Sequence, residues 1–338
     1  MTADYRAPAW LPGGHLQTIW PALYSRAHRG PVEPRLRRER WDTPDGDFID
    51  VDFGDETDPR ATAAAGARDA SATAVAPMLV MFHGLEGSSA SPYARAFADV
   101  ARRHGLAFAV PHFRGCSGEL NRGPRAYHSG DFEEIGWILQ RLRARRSRPL
   151  LAVGISLGGN ALLRWAEEAG ASAAATARAV AAMSSPIDLT AGGHAIGSGL
   201  NRLLYTPWFL RTMKPKALAK LAQHPRLFDR ERLLAARTLY AFDDVFTAPL
   251  HGFAGTTDYW LRASAKPHLA QIRIPTLVLN ARNDPFLPAA CLPGAQDVGR
   301  HVTLWQPAHG GHVGFPQGTP PGHVLGMPER VYAWLAQH

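Results

Sequence analysis

Gly154-Ile155-Ser156-Leu157-Gly158 sets one hydroxyl between glycines, directly after the apolar run 150–153 and ahead of a helical pattern beginning near Asn160. A serine in a tight strand-to-helix turn is lifted clear of the backbone, and the glycines leave room for the close approach that turn requires. The chemistry this suits is nucleophilic attack, with the Leu157 N–H facing the oxyanion that forms. By itself the pattern arises often by chance, since an ordinary glycine-rich turn reads the same way. A second segment, His83-Gly84-Leu85-Glu86-Gly87, directly follows the apolar run 78–82. Its Leu85 N–H is the expected second oxyanion donor, and His83 is expected to be structural.

A serine nucleophile needs a base, and the base needs an acid to fix its tautomer. Asp284 lies four residues past the run 276–280, in Asn280-Ala281-Arg282-Asn283-Asp284-Pro285-Phe286. Beyond the last apolar run, 302–305, come Ala308-His309-Gly310-Gly311-His312. Pattern alone does not choose between the two histidines. The order Ser156, Asp284, then His312 or His309, each just past its own strand, is the hydrolase order and not that of chymotrypsin or subtilisin.

These residues need a frame. Two strands, 36–41 and 48–53, flank the turn Thr43-Pro44-Asp45-Gly46. Residues 55–76 carry no apolar period and read as a surface connection. The runs 78–82, 106–110, 150–153, 179–183, 276–279 and 302–305 are continuously apolar, as strands covered on both faces are. Helical patterns at 92–103, 132–143 and 160–168 fit crossovers between them. The expected fold class is therefore α/β, a mostly parallel central sheet flanked by helices, of the α/β-hydrolase type. Between 188 and 274 only helical patterns occur, such as 216–223 and 230–240. The expected division is a core of 1–187 and 273–338 with a helical cap at 188–272. Leu204, Trp208 and Phe209 in that cap are candidate substrate-binding residues, and Gly192, Gly193, Gly197 and Gly199 candidate hinges.

The 338 residues are 46% hydrophobic and 20% charged, which suits a globular chain with a sizeable core. No run approaches 18 apolar residues, and residues 1–10 lack the pattern of a secretory leader. With only Cys116 and Cys291, no disulfide framework or zinc site is indicated, and a reduced, cytoplasmic setting is expected. The net charge is +8, with arginine clusters at 35, 37, 38 and 40 and at 141, 143, 145, 146 and 148. Without aromatic interleaving these read as a solvated face, so no nucleic-acid partner is expected. No cofactor or metal is called for. The expected partner is a small-molecule ester or lipid, with transient membrane-surface contact left open and the oligomeric state unknown.

Several motifs together carry a family resemblance. They are Gly14-His15-Leu16-Gln17-Thr18, His83-Gly84-Leu85-Glu86-Gly87, Phe113-Arg114-Gly115-Cys116-Ser117-Gly118, Gly154-Ile155-Ser156-Leu157-Gly158-Gly159-Asn160, Phe242-Asp243-Asp244, Asp284-Pro285-Phe286 and Gly310-Gly311-His312-Val313-Gly314-Phe315. The chain resembles the YheT-like branch of the α/β hydrolases, to which mammalian ABHD-type lipases are also similar. The resemblance implies a triad of Ser156, Asp284 and His312, and so selects His312 over His309. It also implies esterase or acylglycerol-lipase activity. The segment 55–76 departs from the family pattern, as does the absence of an animal-type N-terminal membrane anchor. An acyltransferase using the same acyl-enzyme and a non-catalytic binding protein are the alternatives. Dehalogenase or epoxide-hydrolase chemistry needs a carboxylate where Ser156 stands. His15 is expected to tie down the N-terminal arm, Arg114 to lie near the site's mouth and Cys116 to be a packing residue.

Overall fold

The computed structural model describes residues 5–24, 35–54, 76–145 and 148–338. The connection expected at 55–76, apart from Ala76, and Arg146 lie outside them. Helix α1 (Gly13–Leu23) precedes a hairpin of β1 (Leu36–Asp42) and β2 (Phe48–Gly54). Then β3 (Met78–Phe82), α2 (Pro92–Arg103), β4 (Ala107–Pro111), α3 (Phe132–Arg145), β5 (Leu150–Ile155), α4 (Leu157–Ala169) and β6 (Ala179–Met183) alternate. A helical stretch follows: α5 (Leu189–Ile196), α6 (Gly199–Leu204), α7 (Thr206–Gln223), α8 (Arg230–Ala235), α9 (Leu239–Val245), α10 (Thr247–Leu250) and α11 (Thr256–Ala263). Strands β7 (Thr276–Leu279) and β8 (Val302–Trp305) and helix α12 (Gly326–Leu335) complete the chain.

The eight strands form one sheet in the order β1-β2-β4-β3-β5-β6-β7-β8. The pairs β1–β2 and β2–β4 are antiparallel, and every other pair is parallel. Strands β3 to β7 are buried at every position, which is why their sequences run apolar without alternation. One apolar core joins α3 and α4 to one face of the sheet. Another packs α2 and α12 against the opposite face.

Strand order locates the site. From β3 the chain crosses outward to β4, then returns past β3 to β5 and continues to β8 on the other side. The connections after β3 and β5 thus leave in opposite directions, which opens a crevice at the carboxyl ends of these neighbouring strands. Their parallel register puts Phe82 beside Gly154, so the segments carrying Leu85 and Ser156 emerge next to each other.

Two expectations change. The arginines of β1 are not simply a solvated face, because the period-two pleat sets Arg38 opposite Asp52 and Arg40 opposite Asp50. Both form ion pairs there, at 2.7 and 2.8 Å, and Glu39 bridges to Arg37 and Arg145. Among the glycines of 192–199, Gly193 is a packing position. Gly192 and Gly193 lie within α5, and a Cβ on Gly193 would come within 2.3 Å of the Trp260 ring, so this glycine admits a packed indole. Gly197 caps α5 at φ −79°, and Gly199 opens α6 at φ +53°, a backbone that favours glycine.

Candidate active site

Ser156 sits between β5 and α4 with φ 51° and ψ −120°, a conformation costly for any residue with a side chain. The turn closes only because its neighbours are small. A Cβ on Gly158 would lie 2.4 Å from the His83 carbonyl oxygen, and one on Gly154 would lie 2.4 Å from Gly159 Cα. The strain aims Oγ out of the sheet toward the end of β8. There His312 Nε2 lies 2.9 Å from Ser156 Oγ, and its Nδ1 lies 2.8 Å from Asp284 Oδ2. A carboxylate only accepts, so Nδ1 carries the proton and Nε2 is left to accept from the serine hydroxyl. Asp284 is buried, and its other oxygen accepts the Phe286 N–H at 2.8 Å. The Phe286 ring packs against the imidazole at 4.2 Å. His309 is exposed, with Nδ1 3.5 Å from the Asn283 amide nitrogen.

The loop after β3 has four amides at its bend. Gly84 donates to Tyr93 OH at 3.0 Å, Glu86 to Tyr127 OH at 3.0 Å and Gly87 to the Gly84 carbonyl at 2.9 Å. The Leu85 N–H has no acceptor among the described residues. The Leu157 N–H opens α4, where the first amides have no intrahelical partner and the helix dipole favours negative charge. Leu85, Ser156, Leu157 and His312 line one cavity together. His83 is fully buried beneath this loop. Its Nδ1–H donates to the Gly84 carbonyl at 2.8 Å and its Nε2 accepts the Phe113 N–H at 3.1 Å. Burial brings its pKa down to about 3, so it is neutral, as a structural histidine should be.

Two cavities meet at Ser156. The first lies under the helical stretch and is mostly apolar, with Ile196, Phe209, Leu239, Phe242, Phe246 and Trp260 among its walls. The second opens on the other flank, between Thr18, Ile19, Tyr93, Tyr205, Trp208 and Val324. Phe209 lines both and Trp208 the second. Leu204, the last residue of α6, lines neither and is 39% exposed. Arg114 also lines the first cavity; it is buried and pairs with the buried Asp47 and Glu134 at 3.0 and 2.6 Å and with the exposed Asp45 at 2.8 Å. Cys116 is buried, and burial pushes its thiol up to about 11.

Residues that the sequence reading did not single out for the site also converge on it: Gln17, Thr18, Asn283, Tyr127 and Ser184. The motif Gly14-His15-Leu16-Gln17-Thr18 was a visible signal for two of them. His15, expected to tie down the N-terminal arm, has Nδ1 3.0 Å from Tyr205 OH.

The sequence model of the α/β hydrolase fold matches residues 77–319, more than half of the chain, and the chain belongs to that family. Within it the chain falls in the YheT-like branch. It is 36% identical to YheT of Escherichia coli (strain K12), which carries a provisional esterase name, over 96% of this chain and 90% of that one. It is 28% identical to the human phospholipase ABHD3 over 100% of this chain and 79% of the relative. Among solved structures, an esterase of Pyrococcus furiosus superposes with a TM-score of 0.52 at 14% identity, covering 92% of this chain and 93% of that one, which speaks to the fold alone. The chain is an α/β hydrolase of the esterase and lipase type.

Proposed function

We propose that this chain hydrolyses carboxylic esters, as a carboxylesterase or acylglycerol lipase, with Ser156 as nucleophile, His312 as base and Asp284 as the acid that orients it. The observation that carries this reading is the continuous chain of hydrogen bonds from Asp284 through His312 to the Ser156 hydroxyl at 2.8 and 2.9 Å. In the first half-reaction Nε2 takes the Ser156 proton as Oγ attacks the ester carbonyl. The carbonyl oxygen becomes an oxyanion held by the Leu85 and Leu157 amides, each such donor stabilising the transition state by about 3–4 kcal/mol. The imidazolium then protonates the leaving alcohol, and an acyl-enzyme remains. In the second half-reaction water, deprotonated by the same histidine, releases the acid and restores Ser156.

Residues 188–272 act as the cap over this centre, and the core is formed by the described residues of 1–187 and 273–338. The cavity under the cap suits an acyl chain, since its walls are apolar and it begins at Ser156. The second cavity is then left for the alcohol portion.

Labelling with a fluorophosphonate and assay on an ester panel test the reading. Wild-type protein should label on Ser156 and hydrolyse the esters, whereas Ser156→Ala should lose turnover on the order of 10⁶-fold. A purified Ser156→Ala protein that kept even about a tenth of its turnover would sink the assignment.

A further inference from the structure

Helix α1 precedes the stretch 77–319 that matches the family, yet it holds the loop on which His312 stands. Residues 310–313 belong to no strand or helix, so no ladder fixes them. Their four successive amides donate to side chains instead. Gly310 donates to Gln17 Oε1 at 2.9 Å, Gly311 to Asn283 Oδ1 at 3.0 Å, His312 to Thr18 Oγ1 at 2.8 Å and Val313 to Ser184 Oγ at 3.0 Å. Three of these acceptors trace to α1. Gln17 and Thr18 sit on it, and Asn283 is held because its Nδ2 donates to the same Gln17 oxygen at 2.9 Å.

The two α1 side chains are themselves fixed. Gln17 is buried, and its Nε2 donates to the Leu11 carbonyl at 2.8 Å. The Thr18 hydroxyl donates to the Gly14 carbonyl at 2.7 Å, which leaves its lone pairs for the His312 N–H. The backbones also touch: a Cβ on Gly14 would lie 1.8 Å from the Asn283 oxygen, and one on Gly314 would lie 1.8 Å from the Gln17 oxygen. Asn283 adjoins Asp284, so one helix clasps both the acid's turn and the base's loop.

We infer that Gln17 and Thr18 are positioning residues for the reaction, acting through the loop amides to set where His312 sits. The inference rests on the assignment of Ser156, Asp284 and His312 above. A histidine displaced by about 1 Å from its serine loses on the order of 10²-fold in rate, so this support has a kinetic signature.

Thr18→Val keeps the side-chain shape and removes the acceptor. Its kcat on a soluble ester should fall about tenfold to 10²-fold, and fluorophosphonate labelling should slow in parallel. Thr18→Ser should restore most of both. Because Thr18 also lines the second cavity, the KM control is read on Gln17→Met, where KM should stay within about threefold. Gln17→Met should lower kcat in the same way, which keeps the inference open to test should one variant aggregate. Turnover within about twofold of the parent in both variants overturns it. So does a loss that vanishes when the variants are assayed well below a lowered melting midpoint, since α1 is then a stability element alone. Ser156→Ala and His312→Ala run alongside separate the two readings. If these stay active, the reactive set is wrong. If they are inactive while Thr18→Val and Gln17→Met are unimpaired, only the role of α1 falls.

Discussion

Glu86 occupies the left-handed region at φ 57°, one residue beyond the Leu85 amide. For a residue with a side chain this costs about 1–3 kcal/mol, and it persists only where the surroundings hold it. Tyr127 does so by accepting the Glu86 N–H at 3.0 Å and donating to Glu86 Oε1 at 2.8 Å, while Lys216 on α7 pairs with the other oxygen at 2.9 Å. Tyr127→Phe removes both bonds and leaves a half-buried amide without its acceptor. We predict that kcat on esters falls about tenfold, with about 1–3 kcal/mol lost from stability. Steady-state kinetics and urea unfolding measure the two; an unchanged kcat would show that the Leu85 amide does not depend on these bonds. The residues that face each other at Ser156 were legible because each sits just past a strand. The choice of histidine was not legible from spacing. It depends on where the loop carries each ring, and the loop is shaped by Gln17 and Thr18, nearly the whole chain away. Tyr127 was silent for a similar reason, since a lone tyrosine carries no motif and its role exists only against Glu86.

Helices α5 to α11 were readable as helical, because 188–274 lacks any strand-like run and the fold places only helices there. Their internal packing was not readable. Gly193 looked like a hinge until Trp260, from α11, was found pressed against it. The stretch has its own buried cluster, including Leu210, Leu233, Phe242, Val245 and Trp260. Phe209 of α7 stands between the two cavities, and Trp208 bounds the second. Shrinking Phe209 to alanine should shift the ester preference about tenfold toward longer acyl chains, the scale on which apolar pockets discriminate by chain length. Leu204→Ala, which alters an exposed position, should leave the profile as it was. Rates across a series of ester lengths decide it: an unmoved profile for Phe209→Ala removes this residue from the pocket.

Charge is distributed unevenly over the molecule as a whole. Arg145 and Arg37 bond to Glu39 and, against the opposing effect of burial, hold its carboxyl down to about 2. Burial raises Asp45, yet bonds from Arg114 and Thr43 outweigh it and also bring that group to about 2. Carboxylates depressed in the fold stabilise it above the ordinary range near pH 4, and that contribution fades as pH falls toward 2. Asp243 is opposite in sign. Burial within the helical stretch lifts it to about 6, against bonds from Thr247 and Trp260, so the fold grows less stable as pH rises from about 4 to 6. Melting midpoints followed across pH 2–7 (roughly the span of these groups) should therefore lose part of their acid fall in Glu39→Gln and Asp45→Asn. Asp243→Asn should instead flatten the slope between about pH 4 and 6. Variants whose curves run parallel to the parent's would refute this account. Among the described residues no helix is long and apolar enough to cross a membrane.

The clasp of α1 on the His312 loop has a consequence for the order of events during synthesis. Gln17 and Gly310 are 293 residues apart in sequence, and Thr18 and His312 are 294 apart. Translation at about 5–20 residues per second puts roughly 15–60 s between the appearance of one partner and the other. Throughout that interval the glutamine and threonine have no loop to hold, while the strands β3 to β7 between them can already pair. The sheet can therefore be largely assembled before Gln17 and Thr18 meet the amides of Gly310 and His312.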